Sequence, residues 1–196
     1  MRFRRRQRGF TLVELATVLV IVAVLATLAF VMYRRHVKAA HMSEATQISG
    51  SIRAGQNAYK AENGLYADVS TDTSSFYPSQ NPGAFATQWG GPCSACNKAE
   101  GWRDINVNPG GPVMFGYATV AGVGAAAVSP KVGAPKAPSS MAALKGPASG
   151  GLDKAIGATD PFFTTVAWGD TDGDGNATVV MSYSHTSEII VLSDGD

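Results

Sequence analysis

The sequence predicts an α+β fold, in which one long amino-terminal α-helix precedes an antiparallel β-sheet of about four strands. Three observations lead to this prediction. An apolar run occupies residues 10–33, with Glu14 as its one charged residue. A stretch with helical spacing of its apolar residues follows at 37–59. Four strand-like runs come after residue 112, and helices followed by strands are typical of α+β chains.

The amino-terminal segment predicts a membrane span. Five arginines lie within residues 2–8, and the apolar run after Gly9 is about 36 Å long as a helix, enough to cross a hydrocarbon core with some tilt. Because basic residues beside a span stay in the cytoplasm, the rest of the chain is expected outside it. A cleaved secretory signal is less favoured, since its apolar part is shorter and Arg34 and Arg35 follow this one directly.

Glu14 is a carboxylate inside the apolar run. It either reaches back to the membrane interface or pairs with a cation in low-dielectric surroundings, where such a pair is stronger than in water. The run itself contains no cation. A partner would therefore have to come from outside the run.

The arginine-rich leader is followed by Gly9-Phe10-Thr11-Leu12-Val13-Glu14. This segment resembles the prepilin signature of type IV pilins and type II secretion pseudopilins. The resemblance implies that prepilin peptidase cleaves between Gly9 and Phe10, which removes the leader at residues 1–9, and that the new amino terminus is methylated. It further implies that the amine of Phe10 faces Glu14 of a neighbouring subunit in a helical filament.

The function implied by this resemblance is structural: a subunit of a type IV pilus-like filament. Its partners would be copies of itself, the bacterial inner membrane before assembly, prepilin peptidase and the pilus assembly machinery. Its location would be the inner membrane as a precursor and then an extracellular pilus. The alternatives are a minor or tip pilin that binds DNA or a surface, and a pseudopilin of a periplasmic pseudopilus. No catalytic constellation is recognisable, so an enzyme is not expected.

The chain divides into segments after the leader. Residues 10–33 are the membrane or filament-core half of the helix, and residues 34–62 are its amphipathic half, for which Gly64 is a stop signal. Residues 63–112 are rich in Ser, Asn, Gly and Pro and predict a variable loop. Residues 113–196 form the sheet region, with a flexible Ala/Gly/Pro-rich loop at 122–151 and an acidic turn at 170–176. The predicted strands, at 113–120, 162–168, 177–183 and 188–192, suggest a meander whose apolar face lies on the helix.

Composition restricts the binding partners. The formal charge is +1 for the whole chain, and loss of the five leader arginines leaves 11 basic against 15 acidic residues, or about −4. A globally basic face for nucleic acid is therefore excluded, whereas local patches are not. Within the helix, Gly50 and Gly55 are either tolerated defects or sites of close packing against the sheet.

Cys93 and Cys96 have a CxxC spacing. A zinc site would need a second cysteine pair, and a thioredoxin-like role would need a βαβ context, and neither is present in the sequence. A local disulfide in an oxidising exterior is favoured.

The acidic turn resembles the beginning of a calcium loop. Asp170, Asp172 and Asp174 supply oxygens at its first, third and fifth positions, and the carbonyl of Asn176 supplies the seventh. Met181 stands where the bidentate glutamate belongs, and Asp-Gly pairs also favour a simple hairpin turn. No cofactor is required by this interpretation, and both Ca²⁺ binding and a bare turn remain open.

Overall fold

A computed structural model of the chain describes residues 9–91, 101–123, 160–171, 173, 175–185 and 188–194. The α+β prediction is confirmed, because one long helix precedes a four-stranded antiparallel sheet. The described residues form two compact units, one ending at Ala40 and the other beginning at His41. The second unit contains the sheet and the hydrophobic core.

Helix α1 runs from Leu12 to Asn63. It ends where the sequence predicts, because Gly64 adopts the left-handed conformation with φ of 78° and its N–H donates to the carbonyl of Lys60 at 2.8 Å. Glycine tolerates this conformation without the steric cost of a Cβ atom. After α1 come strand β1 (Thr87–Gln88), the short helix α2 (Gly101–Asp104) and strand β2 (Pro112–Val113), with β1 and β2 paired antiparallel.

The main sheet is an antiparallel meander, as predicted. Its strands are β3 (Gly116–Val123), β4 (Pro161–Gly169), β5 (Thr178–Tyr183) and β6 (Ile189–Asp194), and they lie side by side in that order.

The prediction of one strand at 113–120 is wrong at its beginning, because Val113 pairs with β1 and β3 starts only at Gly116. It also ends too early, because β3 continues to Val123 and so includes the first two residues of the predicted flexible loop at 122–151, whose other residues lie outside the described ones. The interruption has a clear cause. The N–H of Met114 donates to Glu44 Oε1 of α1 at 2.8 Å instead of to a neighbouring strand.

Both faces of the main sheet are buried, whereas the sequence analysis placed one apolar face on the helix. Residues alternate between the two faces of a strand, and on β5 every side chain is buried. The second face is covered in part by Phe76, whose ring stacks on Trp168 at 5.8 Å between centroids. The helix-side cluster includes Ala45, Ile48, Ile52, Tyr117, Ala167 and Val180, and the opposite cluster includes Phe76, Ala118, Val166, Val179 and Met181.

The segment predicted as a variable loop also pairs with the outer edge of β3. Tyr77 and Tyr117 exchange two backbone hydrogen bonds of 2.9 and 2.8 Å, and the N–H of Ser70 donates to the carbonyl of Thr119 at 2.9 Å. An unpaired strand edge is a template for unwanted pairing with other chains. This part of the loop therefore protects β3.

A buried glutamine connects α1 to the chain that leaves it. Gln56 is fully buried, its Oε1 accepts the N–H of Ala67 at 2.9 Å, and its Nε2 donates to the carbonyl of Ala67 at 2.8 Å. The same Nε2 lies 3.3 Å from the hydroxyl of Thr119 on β3. One side chain thus satisfies both peptide groups of a buried residue that belongs to no strand.

Replacing Gln56 by leucine should lower the free energy of unfolding by about 2 kcal/mol, because it leaves a buried N–H and a buried C=O without partners. Urea unfolding of the full chain in detergent, followed by tryptophan fluorescence, measures this loss. Gln47→Leu is the matched control, since Gln47 is exposed on the same helix. Equal effects of the two substitutions would contradict the role of the buried hydrogen bonds.

The two helix glycines differ. A Cβ atom on Gly50 would have no neighbour within 4 Å, whereas one on Gly55 would overlap the carbonyl oxygen of Ile105. Gly50 is therefore a tolerated defect. Gly55 marks a close approach, but to the backbone after α2 rather than to the sheet.

Candidate functional site: the amino-terminal helix

The beginning of α1 is a capping box. The hydroxyl of Thr11 accepts the N–H of Glu14 at 3.1 Å, and the N–H of Thr11 points back to Glu14 Oε2 at 3.5 Å. This reciprocal arrangement satisfies amides at a helix start that have no partner within the helix. This role of Glu14 was not predicted from the sequence, although Thr-x-x-Glu before an apolar run is its signal.

The capping box holds the Glu14 carboxylate at the positive end of the helix dipole, beside the N–H of Thr11, which directly follows Phe10. The predicted processing and assembly residues Gly9, Phe10 and Glu14 thus lie together at the helix start. All three are exposed, and the Phe10 side chain is 85% accessible. Among the described residues, none covers the predicted cleavage site between Gly9 and Phe10.

The first unit exposes an apolar surface without interruption. Every residue from 9 to 36 is exposed, including Leu12 at 87%. Among the described residues, α1 is the one helix that contains a stretch long and apolar enough to cross a membrane. Such a surface is unstable in water and needs lipid or another apolar surface to cover it.

The acidic turn is held by its own first carboxylate. Asp170 Oδ1 accepts the N–H of Gly173 at 2.8 Å, and Oδ2 accepts the N–H of Gly175 at 3.0 Å. Of the other predicted calcium ligands, Asn176 is described, whereas Asp172 and Asp174 lie outside the described residues. Within the described residues, no three His, Cys, Asp or Glu side chains are grouped to hold a metal. Calcium binding stays a prediction.

Asp170→Ala should lower the free energy of unfolding by about 1–2 kcal/mol even in the presence of a chelator, because two charge-assisted hydrogen bonds are lost. Asp170→Asn keeps one acceptor oxygen and should lose less. Thermal unfolding of both variants in chelator tests this, and an unchanged midpoint for Asp170→Ala would show that the turn forms without its carboxylate. A calcium-dependent rise of the midpoint in the wild type would in addition support calcium binding.

Residues 92–100, which include Cys93 and Cys96, lie outside the described residues, so the predicted disulfide stays a prediction. The aromatic residues on either side of them are in contact. Trp89 and Trp102 lie 5.3 Å apart between ring centroids, and Tyr77 contacts both at 4.9 and 5.9 Å. These three rings, which we call the aromatic clasp, bring the residues on either side of this segment into contact.

The double variant Cys93→Ser/Cys96→Ser should lose no more than about 2 kcal/mol of stability, because a disulfide would close a very short loop and the aromatic clasp already joins the ends. Thermal unfolding of the variant, and of the wild type with and without reductant, measures the effect. Loss of cooperative unfolding in the double variant would show that the fold depends on the two cysteines.

Comparison with known proteins agrees with the helix start. Residues 4–30 match the family model described as the prokaryotic N-terminal methylation motif. This chain carries that motif. Over 60 residues the chain is also 35% identical to fimbrial protein EcpC of Eikenella corrodens, across 31% of this chain and 39% of that protein. The chain thus spans well under half the length of this relative.

No solved structure matches the chain. The methylation motif, the long helix and the antiparallel sheet nevertheless agree with one another, and the resemblance drawn from Gly9 to Glu14 is confirmed. Together they agree with the pilin-like arrangement that the resemblance implies. The apolar helix fits a membrane-anchored precursor.

Proposed function

We propose that the chain is a structural subunit of a type IV pilus-like filament, assembled through its amino-terminal helix. The observation that supports this most directly is the uninterrupted exposure of residues 9–36, a stretch whose first part lies within the methylation motif matched at residues 4–30. A helix of this kind needs an apolar cover, which either lipid or copies of itself can supply. The fimbrial name of the matched relative agrees with a pilus.

The first step is removal of the leader by prepilin peptidase between Gly9 and Phe10. The exposure of both residues supports this step. Cleavage removes five arginines, which changes the formal charge from +1 to about −4 and takes away the cytoplasmic charge that opposes withdrawal of the helix from the membrane. It also creates a cationic amine on Phe10, which N-methylation leaves positive.

The second step is exchange of lipid for neighbouring subunits. In an apolar bundle, the Phe10 amine of one subunit pairs with Glu14 of the next. At about 4 Å and an effective dielectric constant near 20, such a pair contributes about 4 kcal/mol before desolvation is subtracted. An unpaired charge there would be costly, so the pair selects one register of packing between helices.

Mass spectrometry of filaments sheared from cells tests the proposal. We expect a chain that begins at methylated Phe10. An abundant chain indicates a main subunit, a scarce one indicates a minor or tip subunit, and restriction to the periplasm indicates a pseudopilin. A soluble protein outside the cell that still carries Met1 or Arg2 would contradict every one of these roles.

A further inference from the structure

The exterior end of the apolar helix carries a second group of cations, which the proposed function does not use. Arg34 and Arg35 follow Tyr33 directly, and both are exposed. Within the described part of the chain, neither guanidinium has a hydrogen bond or an ion pair. We refer to Arg34 and Arg35 as the outer arginine pair.

The helix itself offers the outer arginine pair no counter-ion. The sequence contains no aspartate or glutamate between Glu14 and Glu44. Positions three and four residues away, where a partner on a helix must lie, hold apolar side chains or Lys38, which has the same sign as Arg34. Basic residues are also disfavoured on the translocated side of a span. An anion that pairs with the outer arginine pair therefore has to come from outside this part of the helix.

The length of the helix indicates where that anion is. From Leu12 to Tyr33 the helix is about 33 Å long, close to the roughly 30 Å of a hydrocarbon core. With Glu14 at the inner boundary, the outer arginine pair lies at the level of the opposite headgroups. Tyr33 is an aromatic residue of the kind enriched at this boundary, and arginine binds phosphate through two parallel hydrogen bonds.

We propose that the outer arginine pair binds the phosphates of anionic phospholipids in the outer leaflet of the inner membrane, and so holds the unassembled subunit at a fixed depth. This inference rests on the membrane-embedded stage of the proposed function. It goes beyond that function by assigning a lipid ligand to two residues outside the processing and assembly site. After the leader is removed, these contacts oppose withdrawal of the subunit.

The test uses the full chain reconstituted in phosphatidylcholine vesicles with phosphatidylglycerol as the minor component. Spin-labelled forms of the two lipids report which one contacts the protein. The wild type should prefer phosphatidylglycerol, and Arg34→Gln/Arg35→Gln should reduce the preference by up to about fivefold for each arginine removed at low salt. Added salt should weaken the wild-type preference. Arg34→Lys/Arg35→Lys should keep a preference.

The matched control is Arg103→Gln, which removes an exposed cation from the second unit and should change nothing. An unchanged preference in the double glutamine variant would overturn the proposal. Cross-linking in pure phosphatidylcholine vesicles gives a second outcome that would overturn the proposal. If dimers form there, need both arginines and are lost in salt, the ligand of the arginines is a second copy of the chain. No filament forms in this lipid assay. Its result is therefore independent of whether the chain assembles into filaments in cells. Alkaline extraction measures separately whether the protein inserts into the vesicles. A protein that does not insert would overturn both the membrane stage and the lipid site.

Discussion

Glu14→Gln should reduce the yield of filaments by at least about tenfold, which corresponds to about 1.4 kcal/mol of lost pairing free energy per subunit, while processing at Gly9 continues. Glutamine can replace glutamate in a capping box, because its side-chain oxygen still accepts the N–H of Thr11. The substitution therefore removes the charge and keeps the helix start. Glu14→Ala removes both the charge and the acceptor of the capping box, and it should assemble no better than Glu14→Gln.

The measurement is the amount of processed chain in sheared and membrane fractions, with Glu62→Gln as the matched control at an exposed glutamate near the other end of α1. Normal assembly of Glu14→Gln with poor assembly of Glu14→Ala would mean that capping, and not charge pairing, is what Glu14 contributes. Normal assembly of both would remove Glu14 from the assembly site altogether.

Gly55→Ala should lower the free energy of unfolding by about 3 kcal/mol, the upper part of the usual range for overpacking. The added Cβ would overlap the carbonyl oxygen of Ile105. That carbonyl has little freedom to move, because the N–H groups of Asn106 and Val107 donate to the carbonyls of Arg103 and Trp102 at 3.0 and 3.1 Å. Asn106 also has a φ of 52°, as expected of a tight turn.

Gly50→Ala is the matched control and should stabilise the protein by about 1 kcal/mol, since alanine is the better helix former and nothing lies within 4 Å of the added atom. Urea unfolding of both variants in detergent gives the two changes. Opposite signs are expected from one chemical substitution five residues apart on one helix. A stabilised Gly55→Ala variant would show that α2 and the turn after it can shift.

The sequence predicts the elements whose causes are local. The apolar and amphipathic stretches define α1, Gly64 ends it, and the β-branched and aromatic runs define β4 to β6 closely. The start of β3 is not predictable in this way, because it depends on Glu44, which lies seventy residues away from Met114. A contact between residues so far apart in the sequence produces no periodic pattern in either segment.

The same contrast holds at the functional site. The charge of Glu14 in an apolar run draws attention to an intermolecular partner, whereas its hydrogen bond to Thr11 needs the helix start to be located first. Burial of both faces of the sheet has no local signal either, because Phe76 comes from a segment whose composition is that of a loop. Gly55 carries no sign of its contact, since only the fold brings Ile105 beside it.

Within the second unit, three side chains of α1 bind main-chain atoms of the chain that follows the helix. Glu44 accepts the amide of Met114, Arg53 donates to the carbonyl of Tyr183 at 3.0 Å, and Gln56 binds both peptide groups of Ala67. Every residue type except proline offers the same peptide groups, so these hydrogen bonds require no particular side chain at Met114, and at the buried Ala67 and Tyr183 they require only one that fits. Substitutions that fit these positions therefore leave the connection between α1 and the sheet intact.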